Sequence, residues 1–339
     1  MSSHVIHPLL LRVDRETWPL TTPFHITGHT FEALEVVKVS LDCRGVVGQG
    51  EAAGVYYLND LVTTMVAQLE AVRSTVEAGI DRDTLQRLLP AGGARNALDC
   101  AFWDLEAKLQ QQSVWQLAGL NAPGPLLTTF GCGADTPENM AAAACRYPGA
   151  RAIKLKLTGE SVDAERVKAV RSALPDVWLG VDANQGFTPD FLDRLMPVLV
   201  DERVALIEQP FPVSQNKRLE GLRSPIPVAA DESAQTLQDL PQLVGRFDVV
   251  NIKLDKCGGL THGLAMARRA HELEMKSMVG NMIGTSLAMA PAILVGQLCQ
   301  VVDLDGPLFL KTDRPIAAQY SGGFLRCSEA IWGSPVGTG

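Results

Sequence analysis

Five residues of the kinds that move protons and hold hard cations recur at a nearly constant interval: Lys156, Asp182, Glu208, Asp231 and Lys253, separated by 26, 26, 23 and 22 residues. Lys154 precedes Lys156 by two positions, and a second acidic pair, Asp303 and Asp305, follows the series. Three carboxylates brought together repel one another unless a divalent cation sits among them. With oxygen donors alone, and no His or Cys at the matching positions, the ion expected on Asp182, Glu208 and Asp231 is Mg²⁺. A lysine on either side of such a site suits removal of a proton from one face of a carbon and return of a proton to the other, which is racemisation. A substrate carboxylate on Mg²⁺ has its α-proton acidified, because the ion stabilises the enediolate left behind. Lys154 adds a like charge that favours the neutral, basic form of Lys156, and the cation does the same for Lys253.

The interval is that of a strand and helix taken together. Short β-rich runs at 127–131, 152–157, 177–183, 205–209, 228–231, 249–254, 276–280 and 300–304 alternate with helical stretches, such as Val167, Val170 and Leu174 ended by Pro175. Eight such units predict a (β/α)8 barrel, an α/β fold with parallel strands inside and helices outside. Each candidate then falls at the C-terminal end of its strand, the face on which such barrels build their sites. Strands two and six oppose each other, which puts Lys156 and Lys253 on opposite sides of the mouth. Strand eight opposes strand four, so Asp303 and Asp305, on one face by their i, i+2 spacing, sit across from the cation. An acidic pair there attracts an ammonium. A molecule with a carboxylate at one end and an ammonium at the other is a dipeptide held by both termini.

Before residue 126 the pattern differs. Val37, Val39 and Leu41 alternate with Lys38, Ser40 and Asp42, and a Gly45 turn leads into Val46, Val47 and Gly48-Gln49-Gly50-Glu51, an antiparallel meander; residues 1–15 also read as strand. Met65, Leu69, Val72 and Val76, then Leu98, Ala101, Leu105 and Leu109, recur at helical spacing. The expected organisation is an α+β domain over 1–125, the barrel over 126–311, and a segment 312–339 that returns to the first domain. The 339 residues are 46% hydrophobic and 20% charged with a net charge of −8, and carry no basic stripe for nucleic acid or an anionic membrane. No run approaches the roughly 18 apolar residues of a membrane span, so a cytoplasmic location is expected. Seven scattered cysteines without a C-x-x-C pair read as buried or half-buried thiols. Gly258-Gly259 reads as a tight turn, His262 and His271 as surface positions, and Asp255 as a salt-bridge partner beneath Lys253. Glu51 and Tyr56 fit a pocket wall and a surface loop equally well. A symmetric homo-oligomer is a general expectation for soluble enzymes.

Lys154-Leu155-Lys156, Asp182-Ala183-Asn184, Glu208-Gln209-Pro210, Asp231-Glu232-Ser233 and 253–259, Lys-Leu-Asp-Lys-Cys-Gly-Gly, resemble the muconate-lactonising subgroup of the enolase superfamily over nearly the whole chain. The resemblance implies an enolase-like barrel under an amino-terminal capping domain completed by the carboxy-terminal segment. Within the subgroup, Asp303-Leu304-Asp305-Gly306-Pro307 looks like the D-x-D signature of dipeptide epimerases, whose aspartates hold the substrate's α-ammonium. It implies a Mg²⁺-dependent epimerase acting on a small-molecule dipeptide or N-acyl amino acid, with Lys156 and Lys253 catalytic and Lys154, Asp303 and Asp305 binding substrate. Two departures stand out. Members specific for glutamate-containing dipeptides are expected to carry a basic residue in the first capping loop, whereas residues 19–25 read Pro-Leu-Thr-Thr-Pro-Phe-His, leaving Thr22 and His25 as candidate substrate contacts. Gly284 stands where relatives often carry an acid. An N-acyl amino acid racemase, a syn-dehydratase and a cycloisomerase are alternatives on the same scaffold, and the D-x-D pair argues against them because an N-acyl substrate brings no ammonium. A binding protein that kept only the fold would have lost a ligand or a lysine, and none is missing.

Overall fold

The alternation of the first domain becomes a three-stranded antiparallel sheet of β1 (Leu10–Ile26), β2 (His29–Cys43) and β3 (Val46–Ala52). The computed structural model describes residues 8–26, 29–222 and 224–335. Val37, Val39 and Leu41 are fully buried with Met65 and Leu69 of the helix Val62–Glu77 and with Leu98, Ala101 and Leu105 of the helix Gly93–Gln110. Each such side chain stabilises the fold by about 1.5–3 kcal/mol through the apolar surface it removes from water. Gly48 and Gly50 let that second helix lie directly on β3: a Cβ there would stand 2.3 Å from the Ala101 carbonyl oxygen and 2.1 Å from that of Ala97. Leu109, expected on the same stripe, is exposed; it lies a turn beyond Leu105, past the end of the sheet at the Arg44-Gly45 turn.

Eight parallel strands follow, each paired with the next in the chain: β5 (Phe130–Cys132), β6 (Ala152–Lys156), β7 (Trp178–Asp182), β8 (Val204–Glu208), β9 (Val228–Ala230), β10 (Val249–Ile252), β11 (Lys276–Gly280) and β12 (Val301–Asp303). The first expected strand divides in two. Leu126–Leu127 (β4) pairs instead with a C-terminal hairpin, β13 (Gln319–Ser321) and β14 (Phe324–Arg326). Thr128 N donates to Gly323 O and Thr129 N to Val302 O, so the chain changes partners at this point and the second bond closes β5 onto β12. Leu206, Ala229, Val249 and Met278, with Trp178 and Val301, fill the barrel floor. Polar side chains are therefore gathered at the opposite, C-terminal mouth.

The end of the chain completes the capping domain. Trp332 Nε1 donates to Gln49 O at 2.8 Å, Gly333 N to Asp104 Oδ1 at 2.8 Å, and Arg314 pairs with Glu16 and Glu51. Gly258 and Gly259 make the expected tight turn at φ +82 and +113, where a Cβ would meet Arg95 and Asp99 of the capping helix. His262 departs from its surface reading, being half-buried with Nδ1 3.0 Å from Arg95. Cys145 is exposed, unlike the buried or half-buried thiol expected. Among the described residues no helix is long and apolar enough to cross a membrane.

Candidate functional site

Asp182 and Glu208 end adjacent strands in register, and Asp231 directly follows the next strand, so three carboxylates converge within 4.8 Å. All three are buried. Gln209 locks the arrangement from beneath: its Oε1 accepts from Asp231 N at 3.0 Å and Ser233 N at 3.1 Å, while its Nε2 donates to Phe211 O and Ser233 Oγ. Asn251 Nδ2 donates to Glu208 Oε1 at 2.6 Å. Burial and the neighbouring Asp182 push the Glu208 carboxyl above the usual carboxylate range. Burial alone would raise Asp231 as well, but Lys253 and Lys256 outweigh it and hold that carboxyl low.

Lys156 and Lys253 flank this centre from β6 and from the end of β10, strands on opposite sides of the barrel. Lys156 Nζ lies 2.6 Å from Asp182 Oδ2, and Lys253 Nζ lies 2.7 Å from Asp231 Oδ2. Lys253 is held above its ordinary value, against desolvation, chiefly by Asp231 and Glu208. Lys154 sits deeper, donating to Glu208 at 3.0 Å and to Asp303. Burial would lower it, and three carboxylates around it raise it well above an ordinary lysine. Lys256, a residue that sequence reasoning misses, donates to the Asp231 carboxylate, Asp231 O and Asn251 O. Asp303 accepts from Thr129 as well as Lys154, and Asp305 accepts from Gly131 N at 2.5 Å. Burial and the charge on Asp303 push Asp305 up to about 7.

Among the described residues, six carboxylates (Asp182, Glu208, Asp231, Glu232, Asp303, Asp305) meet four lysines (Lys154, Lys156, Lys253, Lys256) at this mouth. Acids outnumber lysines there, an excess that an added cation relieves. Two acceptors beside the triad, Asn184 Oδ1 and Glu232 Oε2, are buried without a partner, and both suit water molecules carried by a hard cation. Burial, with Asp231 and Asp182, pushes Glu232 up to about 8. The donor set is all oxygen, and it fits Mg²⁺.

A cavity of about 490 Å³ opens from Lys156, Lys253 and Asn184 to the capping domain, whose Tyr56 and Tyr57 form one wall and pack edge to face at 5.3 Å. Tyr56 is thus a pocket residue. Glu51 is neither a lining residue nor a surface one: fully buried, it accepts from Thr285 N and Oγ1 and pairs with Arg314. A Cβ on Gly284 would lie 3.6 Å from Glu51 Oε1, so the capping domain supplies a carboxylate close to where an acid at position 284 would begin. Lys154, Asp303 and Asp305 are close to the triad but are not among the cavity-lining residues. Thr22 is exposed and also not among them, and the His25 side chain lies outside the described residues. Arg15 on β1 also lines the cavity, a placement that no motif in the sequence signals. Asp255 is not bridged to Lys253, which turns to Asp231; its Oδ1 accepts from Ala53 N and Gly54 N. These long-range partners leave no periodic trace in the sequence.

An eight-stranded barrel with three ligating carboxylates on successive strands and lysines on either side defines an enolase-type enzyme. Residues 138–326 match the enolase C-terminal domain-like family, and residues 10–119 match the mandelate racemase / muconate lactonizing enzyme N-terminal domain. The chain belongs to that family. It is 40% identical over 317 residues, 93% of this chain and 98% of the relative, to the L-Ala-D/L-Glu epimerase of Escherichia coli K12. It is 37% identical over 84% of its length, and 91% of the relative's, to an N-acetyl-D-glutamate racemase of a Pseudoalteromonas species. Among solved structures, an enolase family member from Agrobacterium tumefaciens with homology to dipeptide epimerases, holding sodium and L-Ala-L-Glu, superposes with a TM-score of 0.93 at 36% identity, covering 96% of this chain and all of that one, 100%. The dipeptide epimerase of Enterococcus faecalis V583, complexed with Mg and L-Leu-L-Tyr, gives 0.87 at 27% identity over 95% of this chain and 97% of that one.

Proposed function

We propose that the protein is a Mg²⁺-dependent dipeptide epimerase that inverts one α-carbon by passing protons between Lys156 and Lys253. The observation that carries this reading is the placement of two lysines on opposite walls, each bonded to a different carboxylate of one buried triad. Asp182, Glu208 and Asp231 would hold the ion, whose chemistry is to neutralise a substrate carboxylate and stabilise the negative charge that develops as the α-proton leaves. One lysine must be neutral to take the proton from Cα, and the other must be an ammonium to deliver one to the opposite face. Inversion leaves the two protonation states exchanged, which is the form that acts on the opposite epimer. Asp182 and Asp231 are each shared with a lysine, so a carboxylate that turns to a cation leaves its lysine without that pairing and lowers the cost of its neutral form.

Asp303 and Asp305 take the substrate ammonium in this reading. Burial first, and then the charge on Asp303, raise the Asp305 carboxyl, and an added cation relieves the second of these. Lys154 supports the Asp303 carboxylate, and Thr22 and His25, toward the end of β1, are the candidate contacts for the substrate side chain. Residues 1–125 and 312–339 form the cap, 126–311 the catalytic barrel, and the enzyme works in the cytoplasm. A second reading, racemisation of an N-acyl amino acid, is favoured by the racemase relative and by the engagement of Asp303 with Lys154. Proton exchange in D₂O separates the two: deuterium enters free-amino dipeptides under the first and only N-acylated amino acids under the second.

A further inference from the structure

We propose that Asp255 is a positioning residue that ties the capping loop 53–60 to the strand end carrying Lys253, so that substrate binding depends on a carboxylate that never touches the substrate. The inference rests on the epimerase reading only for its kinetic arm. Ala53 N and Gly54 N both donate to one atom, Asp255 Oδ1, at 2.9 Å. Successive backbone N–H groups aimed at one oxygen form an anion cradle. Gly54 makes the cradle possible, with φ +73 and an approach so close that a Cβ would stand 2.1 Å from Asp60 O.

The two ends of the loop are fixed differently. Asp60 Oδ2 accepts from Gly93 N at 2.6 Å, an anchor within the capping domain. The other end meets Asp255 across the domain boundary, two residues past Lys253. Between them, Tyr56 and Tyr57 form the cavity wall. The neighbouring lysines cannot serve Asp255, since Lys253 and Lys256 both pair with Asp231. Burial pushes its carboxyl up to about 7, helped by Asp60 and Glu51 on the capping side and opposed by the two N–H donors; Cys100 on the helix Gly93–Gln110 is the further titratable group nearby. A buried carboxylate that accepts from two backbone N–H groups of another domain is placed to hold that backbone.

The test compares the full-length holoenzyme with Asp255→Ala and Asp255→Asn in Mg²⁺ buffer. Steady-state epimerisation and amide hydrogen exchange of the 53–54 segment are measured together. Asp255→Ala is expected to raise KM tenfold or more while kcat falls less than threefold, and to speed exchange at 53–54 at least tenfold without changing barrel amides. Asp255→Asn, which keeps an acceptor oxygen but not its charge, is expected to recover only part of both effects and to leave a severalfold rise in exchange at 53–54. Loss of kcat with KM unchanged would overturn the proposal by assigning Asp255 to Lys253 itself. Unchanged exchange at 53–54 in Asp255→Ala would also overturn it, or in Asp255→Asn if only that variant folds, where a severalfold rise is then expected. Absence of dipeptide turnover in the parent enzyme contradicts the epimerase reading and leaves the exchange arm to decide the tie.

Discussion

Lys154 reaches across the barrel to Asp303 while also donating to Glu208 at 3.0 Å, so one ammonium joins the ligating wall to the wall opposite. Removing it leaves two buried carboxylates short of a cation. Lys154→Met is therefore expected to lower the stability of the metal-free protein by about 3–5 kcal/mol, the usual cost of breaking a buried ion pair from one side. Urea unfolding of the two proteins checks this. A change below about 1 kcal/mol would mean that water reaches and solvates the pair.

Lys156→Ala and Lys253→Ala should each abolish inversion, with kcat lower by at least the 10²- to 10⁴-fold typical of losing a general acid or base. The remaining lysine faces one side of the α-carbon, so each variant should exchange the α-proton of one epimer only, and the two variants should prefer opposite epimers. Chiral analysis and α-deuterium NMR read both quantities. The same epimer exchanged by both variants would contradict the assignment of faces.

Divalent metal should stabilise the fold. With Mg²⁺ at 100 times its Kd the gain is about 2.7 kcal/mol by mass action, read as a rise in melting temperature. Glu208→Gln should lose most of that rise while keeping the fold, because Gln retains a partner for Asn251. A full Mg²⁺ response in Glu208→Gln would remove it from the ligand set.

Asp305 is pushed up to about 7, against roughly 3.9 for an ordinary aspartate. The folded chain thus binds that proton more tightly than the unfolded one. Its contribution to stability is present below about pH 4 and is lost as pH rises through 7. Metal-free wild-type protein should lose more stability between pH 5 and pH 8 than Asp305→Asn does, by about 1 kcal/mol or more. Equal slopes in urea titrations of the two proteins would show that Asp305 is ionised throughout.

The barrel was legible because parallel strands covered on both faces become continuous apolar runs, and seven of the eight expected runs overlap β6 to β12 within about two residues. The ligands were legible because each ends such a run. Thr128 and Thr129 defeated the first strand, since their partners, Gly323 and Val302, lie far along the chain. Distance also hid the partners of Asp255 and of Glu51, which binds Thr285 and Arg314 across the domain boundary. A single polar residue with a remote partner has no period. The spacing of the acidic pair 303/305 suggests a site open to an ammonium, but Asp303 already holds Lys154, whose side chain turns to carboxylates and not to Lys156.

Proton transfer at an α-carbon between opposed lysines is read from α-proton exchange in D₂O. The enzyme with Mg²⁺ is incubated with L,L-dipeptides and N-acyl amino acids, and the α-carbon is followed by NMR. Transfer between the two lysines requires deuterium at one α-carbon of free-amino dipeptides, inversion of that centre, loss of both on adding EDTA, and no exchange in N-acyl amino acids. Exchange confined to N-acyl amino acids, or exchange that survives complete removal of metal, would contradict it.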